Sequence, residues 1–212
     1  MLMHPQPPRR TTHAYGTPVN RLVYDRWGAY GRPVVLLHGL LYDRTMWWPV
    51  AADLGNACSV VAVDLPGHGQ SAPRGDYDLE SLARDLAVLI AGLNLHRAPV
   101  MVGQGESALL AQAFADSYAT RAVVTLDEPV AGLPDTVEQH LATADLGTIP
   151  APYRQFAVAR PDATLLRAYQ CWFKLPDAGR ARPHPVSAVR PRCRFPHLRS
   201  PASFAATLRD LL

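Results

Sequence analysis

The stretch Pro99-Val-Met-Val-Gly-Gln-Gly-Glu-Ser-Ala-Leu-Leu-Ala111 decides how the chain is read. Its apolar run ends in small residues and passes straight into apolar positions at helical spacing, which predicts a buried strand, a sharp turn and a helix. A strand–turn–helix unit with Gly-x-Ser-x-Gly at its bend lifts a serine above the end of a sheet. Here those five positions are Gly103, Gln104, Gly105, Glu106 and Ser107. Glycine holds the nucleophile's place and serine the last small position, so the turn is present and its reactive oxygen is not.

The flanking segments extend the same architecture. Arg32-Pro-Val-Val-Leu-Leu37, Ser59-Val-Val-Ala-Val63 and Arg121-Ala-Val-Val-Thr-Leu126 are short continuous apolar runs, as expected of strands covered on both faces. Asp78 stands where it can cap a helix carrying Leu79, Leu82, Leu86, Leu89, Ile90 and Leu93 on one face. A second helix is expected from Glu106 to Tyr118. Strand, helix, strand, helix, strand in that order predicts a doubly wound, mostly parallel α/β sheet, whose ligands sit outside the carboxyl ends of the strands. Past Pro129 the character changes. Helices are expected near 136–144 and 162–173, forming a short cap inserted at about 130–175, with Trp172, Phe173 and Tyr169 either lining the pocket beneath or, as aromatics at helical spacing more often do, packing in the core. Ser200 is expected to cap a final helix that starts with Pro201. Residues 1–12, rich in proline and arginine, read as a flexible arm, and 13–212 as one domain.

Composition narrows the classes. A chain of 212 residues with 48% hydrophobic and 18% charged side chains is ordinary globular material, and a net charge of +3 is too mild for a nucleic-acid reader. The acid-free run holding Arg180, Arg182, Arg190, Arg192, Arg194 and Arg199 reads as a solvated loop. Cys58, Cys171 and Cys193 lack C-x-x-C pairing and companion histidines, which points to free thiols, no metal site and a cytoplasmic location. No apolar run is near the length of a membrane span. Gly103-x-Gly105 lacks the third glycine of a dinucleotide fingerprint, so no cofactor is expected.

Four motifs taken together resemble the α/β-hydrolase superfamily, in particular its cap-bearing, esterase- and dehalogenase-like members. They are Val34-Val-Leu-Leu-His-Gly39, Asp64-Leu-Pro-Gly-His-Gly-Gln-Ser71, the turn at Gly103 to Ser107, and Arg194-Phe-Pro-His-Leu-Arg-Ser-Pro201. The resemblance implies a nucleophile at the turn, a histidine before the last helix and an acid after the seventh strand. The first position is Gly105 and the second is Arg194, a guanidinium that cannot act as a base. No Gly-x-x-Asp segment supplies the third. Substitute catalytic candidates are Ser107, whose favoured reading is the small packing position after the turn; Asp127, which matches an alternative acid position after strand six or else caps a turn; and His197, whose favoured reading is a structural or solvent-facing histidine. The resemblance also places Leu40 and Glu106 where backbone N–H groups form an anion hole. His38, Gly39, Gly105 and Trp172 complete the expected ligand contacts, and His68 and Gln104 are read as turn residues.

Three functional readings follow. The first is a pocket for a small ester- or carbonyl-containing molecule without triad hydrolysis. The second is an active hydrolase with a rearranged site drawn from Ser107, Glu106, Asp127 and His197. The third is a non-catalytic interaction protein. In that last case residues 176–195 reflect a deletion or frame change, and the missing seventh strand leaves a sheet edge open to homodimerisation.

Overall fold

The computed structural model describes residues 9–127, 136–142, 144–173 and 194–212. The arginine- and proline-rich segment 176–195, read as a solvated loop, lies outside them except for Arg194 and Phe195. The described strands are β1 (Thr11–Tyr15), β2 (Leu22–Trp27), β3 (Pro33–Leu37), β4 (Ser59–Val63), β5 (Val100–Gln104) and β6 (Ala122–Leu126). They form one sheet in the order β1-β2-β4-β3-β5-β6. β1 pairs antiparallel with β2, and β2 with β4; β3 runs parallel to both β4 and β5, and β5 parallel to β6.

Every residue of β3, β4, β5 and β6 is buried, which the unbroken apolar runs require. Helices cover both faces. On one side α2 (Leu79–Gly92) and α3 (Ser107–Ser117) pack on Val35, Val61, Met101 and Val123. On the other, α1 (Trp48–Leu54), α6 (Pro196–Arg199) and α7 (Pro201–Arg209) pack on Val34, Val60, Val102 and Val124. Removing such a Val or Leu side chain from water contributes about 1.5–3 kcal/mol each. The described residues between β6 and α6 include α4 (Val137–Ala142) and α5 (Ala163–Ala168), with short 3-10 turns between and after them.

Several boundaries differ from expectation. β1 begins at Thr11, inside the segment read as an arm, because its backbone pairs with β2. α1 was not anticipated, although Met46, Trp47, Val50, Ala51 and Leu54 carry helical spacing. Asp78 caps α2 by accepting from the Ser81 N–H at 2.9 Å. Ser200 does not cap α7: the chain enters from α6 and the hydroxyl makes no cap bond.

A buried cluster ties the front of the sheet together. Arg44 pairs through Nε with Asp25 at 3.1 Å and through Nη1 with Asp64, and both aspartates are fully buried. The Arg44 backbone N–H also donates to Asp64 at 2.8 Å, as does that of Gln70 at 2.8 Å. Asp25 further accepts from the Trp48 indole at 2.8 Å. β2, the loop after β4 and the entry to α1 thus share one ionic centre.

On the α1/α7 face His197 is fully buried, its ring 4.3 Å from that of Trp47 and flanked by Phe195 and Phe204. Neither ring nitrogen has a hydrogen-bond partner. Burial pushes its pKa down to about 3.

Two outcomes are expected. Arg44→Met, which strands two buried carboxylates, lowers stability by about 3–5 kcal/mol in urea denaturation. For His197 the unfolded chain binds the proton below about pH 6.5 while the folded chain resists it down to about pH 3, so stability falls with pH across that window. His197→Phe therefore gains on the native protein by about 1.4 kcal/mol per pH unit below 6.5. A difference between the two proteins that stays constant from pH 7 to 4 contradicts this account.

Candidate functional site

β5 ends at Gln104 and α3 begins at Ser107, so two residues carry the bend. Gly105 sits at its apex with φ +58°, and its N–H donates to the Leu126 carbonyl at 2.7 Å. A Cβ built there meets nothing closer than the Gly39 Cα at 4.0 Å. There is room for a side chain at the apex, and the sequence supplies none. Glycine relieves only the left-handed backbone strain that a serine would bear.

The loop after β3 faces this apex. Gly39 packs tightly on Gln104, where a Cβ would lie 2.1 Å from the amide oxygen. Leu41 is held at φ +71°, an unusual conformation for a bulky residue, with its N–H donating to His68 Nε2 at 3.1 Å. His38 Nε2 accepts from the Leu65 N–H at 3.0 Å, leaving Nδ1–H for the Gly39 carbonyl at 2.9 Å. Burial lowers the pKa of both histidines, so they stand neutral as acceptors. The loop so constrained presents the Leu40 N–H, and what it meets is the Glu106 carboxylate, Oε2 at 3.5 Å. The side chain that follows the apex therefore sits in the expected anion hole. Glu106 also precedes α3 without capping it, its carboxylate being engaged on Leu40.

This carboxylate is approached from α4 by His140. Its Nδ1 is 3.7 Å from Glu106 Oε1, and its Nε2 is 3.1 Å from Arg194 Nη2 and 3.3 Å from the Leu40 carbonyl. A guanidinium can only donate, so the contact with Arg194 makes Nε2 an acceptor and puts the hydrogen on Nδ1, toward Glu106. Burial, opposed by Glu106 and reinforced by Arg194, lowers the His140 pKa and favours this neutral form. Arg194 also donates to the His140 carbonyl at 2.8 Å, lies over the Tyr42 ring and pairs with Asp127 at 3.8 Å. Its own carbonyl accepts from Gln104 Nε2 at 3.3 Å. Asp127, at φ +56°, is a further strained residue at the strand ends.

Gly39, Leu40, Gly105 and Glu106 come together as the motifs implied, with Asp127 and Arg194 on the rim. Four expected residues do not join them. Ser107 is fully buried and its hydroxyl donates to the His38 carbonyl, so it fills a packing position and is not poised as a nucleophile. His197 is enclosed by aromatic rings in the opposite-face core, where no acid reaches it. The His38 ring is spent on backbone groups and holds the loop without facing a ligand. Trp172 is 1% exposed, edge-on to the Tyr169 ring with its indole N–H bonded to the Tyr77 carbonyl at 2.6 Å, and belongs to the core. Sequence reasoning missed His140 and Tyr42. Val137 and His140, three residues apart, share the buried face of α4, the one signal that could have marked the histidine. An open groove of about 700 Å³ beside β1, bordered by His13, Arg21, Gln70 and Pro73, shares no residue with the elbow.

Among the described residues no group of histidine, cysteine or acidic side chains could hold a metal ion, and no helix is long and apolar enough to cross a membrane. An uncharacterized protein of Mycobacterium tuberculosis is 35% identical over 110 residues, 51% of this chain and 30% of that protein. A dihydrolipoyllysine-residue acetyltransferase component of the acetoin cleaving system from Cupriavidus necator is 44% identical over 54 residues, 26% of this chain and 14% of that protein. The chain thus spans a third or less of the length of these curated relatives. Among solved structures, an esterase from Thermogutta terrifontis superposes with TM-score 0.69 at 20% identity, covering 95% of this chain and 97% of the other. An epoxide hydrolase superposes with TM-score 0.72 at 18% identity, covering 96% and 98%. At such identities the superpositions speak to fold alone. The family's sequence model matches residues 34–212, and with this sheet, elbow and flanking helices the chain belongs to the alpha/beta hydrolase family.

Proposed function

We propose that the elbow is a binding site for a small ester- or carbonyl-containing molecule and that it does not perform triad hydrolysis. The observation that carries this reading is Gly105: the apex keeps the strained backbone and open space of a nucleophile position but has no atom that can attack. Arg194 stands at the histidine position and is fully engaged with the cap, so the general base is missing as well. What remains is the Leu40 N–H beside the start of α3, donors suited to a carbonyl or carboxylate oxygen. The element α4 shields it together with the buried Glu106, and the exposed Asp127 side chain marks its opening. Free Cys58 and Cys171 fit a reducing, cytoplasmic setting.

The rearranged-hydrolase alternative needs Ser107, Asp127 and His197 to meet. Ser107 and His197 lie in different packing environments, and the Ser107 hydroxyl is already committed.

A panel of aryl esters with the native protein and Gly105→Ser tests the reading. Neither is expected to turn over above the uncatalysed rate, because a restored hydroxyl still lacks a base within reach. A serine-directed fluorophosphonate is expected to leave Ser107 unlabelled. Enzymatic turnover by the native protein, or stoichiometric labelling of Ser107, refutes it. Non-hydrolysable amide counterparts of the same esters are expected to shift the Leu40 amide resonance.

A further inference from the structure

The edge of the sheet opposite the elbow gathers arginines. β3, β5 and β6 run parallel and start side by side, and their register sets Arg32 level with Ala98 and Arg121 level with Pro99. Arg32 and Arg121 are thus two strand spacings apart, about 10 Å, with the segment carrying Arg97 between them. Main-chain carbonyls hold two of the three guanidiniums in place. Arg32 Nη1 donates to the Ala98 carbonyl at 2.6 Å, and Arg121 Nε to the Leu211 carbonyl at 3.4 Å. Arg97 and Arg121 are exposed and Arg32 is half-buried, so the cluster opens directly to solvent and needs no enclosed cavity.

Charge is not balanced here. Arg44, Arg74, Arg84 and Arg209 each lie against a carboxylate. Among the described residues no acidic side chain pairs with Arg32, Arg97 or Arg121. Burial lowers the Arg32 pKa, and repulsion from Arg121 and Arg97 lowers it further with no carboxylate opposing. Arg32 Nε is also buried without a hydrogen-bond partner. A cluster of like charges costs the free protein stability, and an anion among them reverses the sign.

The number of charges selects the ligand. A carboxylate, with one charge and two oxygens, satisfies one guanidinium, whereas a phosphate carries up to two charges on three acceptor oxygens and takes paired N–H donors from arginine. The net charge of +3 on the whole chain is too mild for an extended polyanion. We infer that the amino-terminal edge of the sheet binds a small soluble phosphate compound, its phosphate held by Arg97 and Arg121 with Arg32 anchored beside them. This edge and the elbow lie at opposite ends of the strands, so the site stands or falls independently of the pocket proposed above.

Inorganic diphosphate is the probe, titrated into the full chain at pH 8 and constant low ionic strength. Saturable binding is expected, tighter than that of acetate by about tenfold or more, with shifts of the Arg97 and Arg121 side-chain Nε–H resonances. Diphosphate should also raise the melting temperature. Arg97→Gln alters an exposed side chain whose charge only repels its neighbours, so the variant should melt no lower than the native protein without ligand. It should bind diphosphate about tenfold more weakly, and the double change with Arg121→Gln should abolish binding. Arg199→Gln, an exposed arginine outside the cluster, should bind as the native protein does. Failure to saturate, equal affinity for acetate, or unchanged affinity in Arg97→Gln overturns the inference. Vesicles containing phosphatidic acid test the other source of the group. Release of the chain from them by diphosphate, or no retention at all, agrees with a soluble ligand; retention that diphosphate does not reverse overturns it in favour of a lipid headgroup.

Discussion

The interaction on which the site depends is the buried pairing of Arg44 with Asp25 and Asp64. Two fully buried carboxylates in one region are tolerable only because a guanidinium lies between them, and removing either sign would leave a desolvated charge alone. The consequence is geometric. Asp64 grips the Arg44 backbone and the Gln70 N–H, so the loop after β3 and the loop after β4 cannot move independently. Within that frame His38 receives Leu65 and His68 receives Leu41, two cross-loop bonds that hold Leu41 at φ +71° and aim the Leu40 N–H at the elbow. The positive-φ residues Leu41, Gly105 and Asp127 lie beyond the carboxyl ends of β3, β5 and β6, and the two that are not glycine hold strained conformations that the surrounding structure has to over-determine.

Gly105 leaves open space at the apex of the turn, the Glu106 carboxylate meets the Leu40 N–H, and Arg194 braces α4 against the elbow. These groups are complementary in charge. The anion beside Leu40 is balanced by the guanidinium two partners away, with a neutral imidazole between them. The solved structures that superpose on the chain include an esterase and an epoxide hydrolase, which shows how widely one sheet and elbow serve different chemistries.

Local sequence determined the strands from β2 to β6, the two long helices and the place of the elbow, while β1 lay partly in the segment read as an arm. Uninterrupted apolar runs of five residues can be satisfied only by strands covered on both sides, and Asp78 with its periodic leucines can be satisfied only by a helix lying on them. The absence of a side chain at the apex was legible for the same reason: the glycine at position 105 has none in any tertiary context. α1 escaped notice although its apolar spacing is helical, and α7 was placed correctly while its supposed Ser200 cap was not, because entry from α6 depends on packing that sequence does not express.

Only the tertiary structure decided which polar groups meet. His140 lies 34 residues after Glu106 and 54 before Arg194, and no spacing rule joins the three; they converge because α4 folds back over the elbow. Ser107 and His197 had suitable chemistry and adjacent motifs, yet one spends its hydroxyl on His38 and the other is sealed among Trp47, Phe195 and Phe204. Composition and period report which face of an element is apolar. Where a single ionisable side chain ends is set by long-range closure and desolvation, and these are properties of the folded surface as a whole.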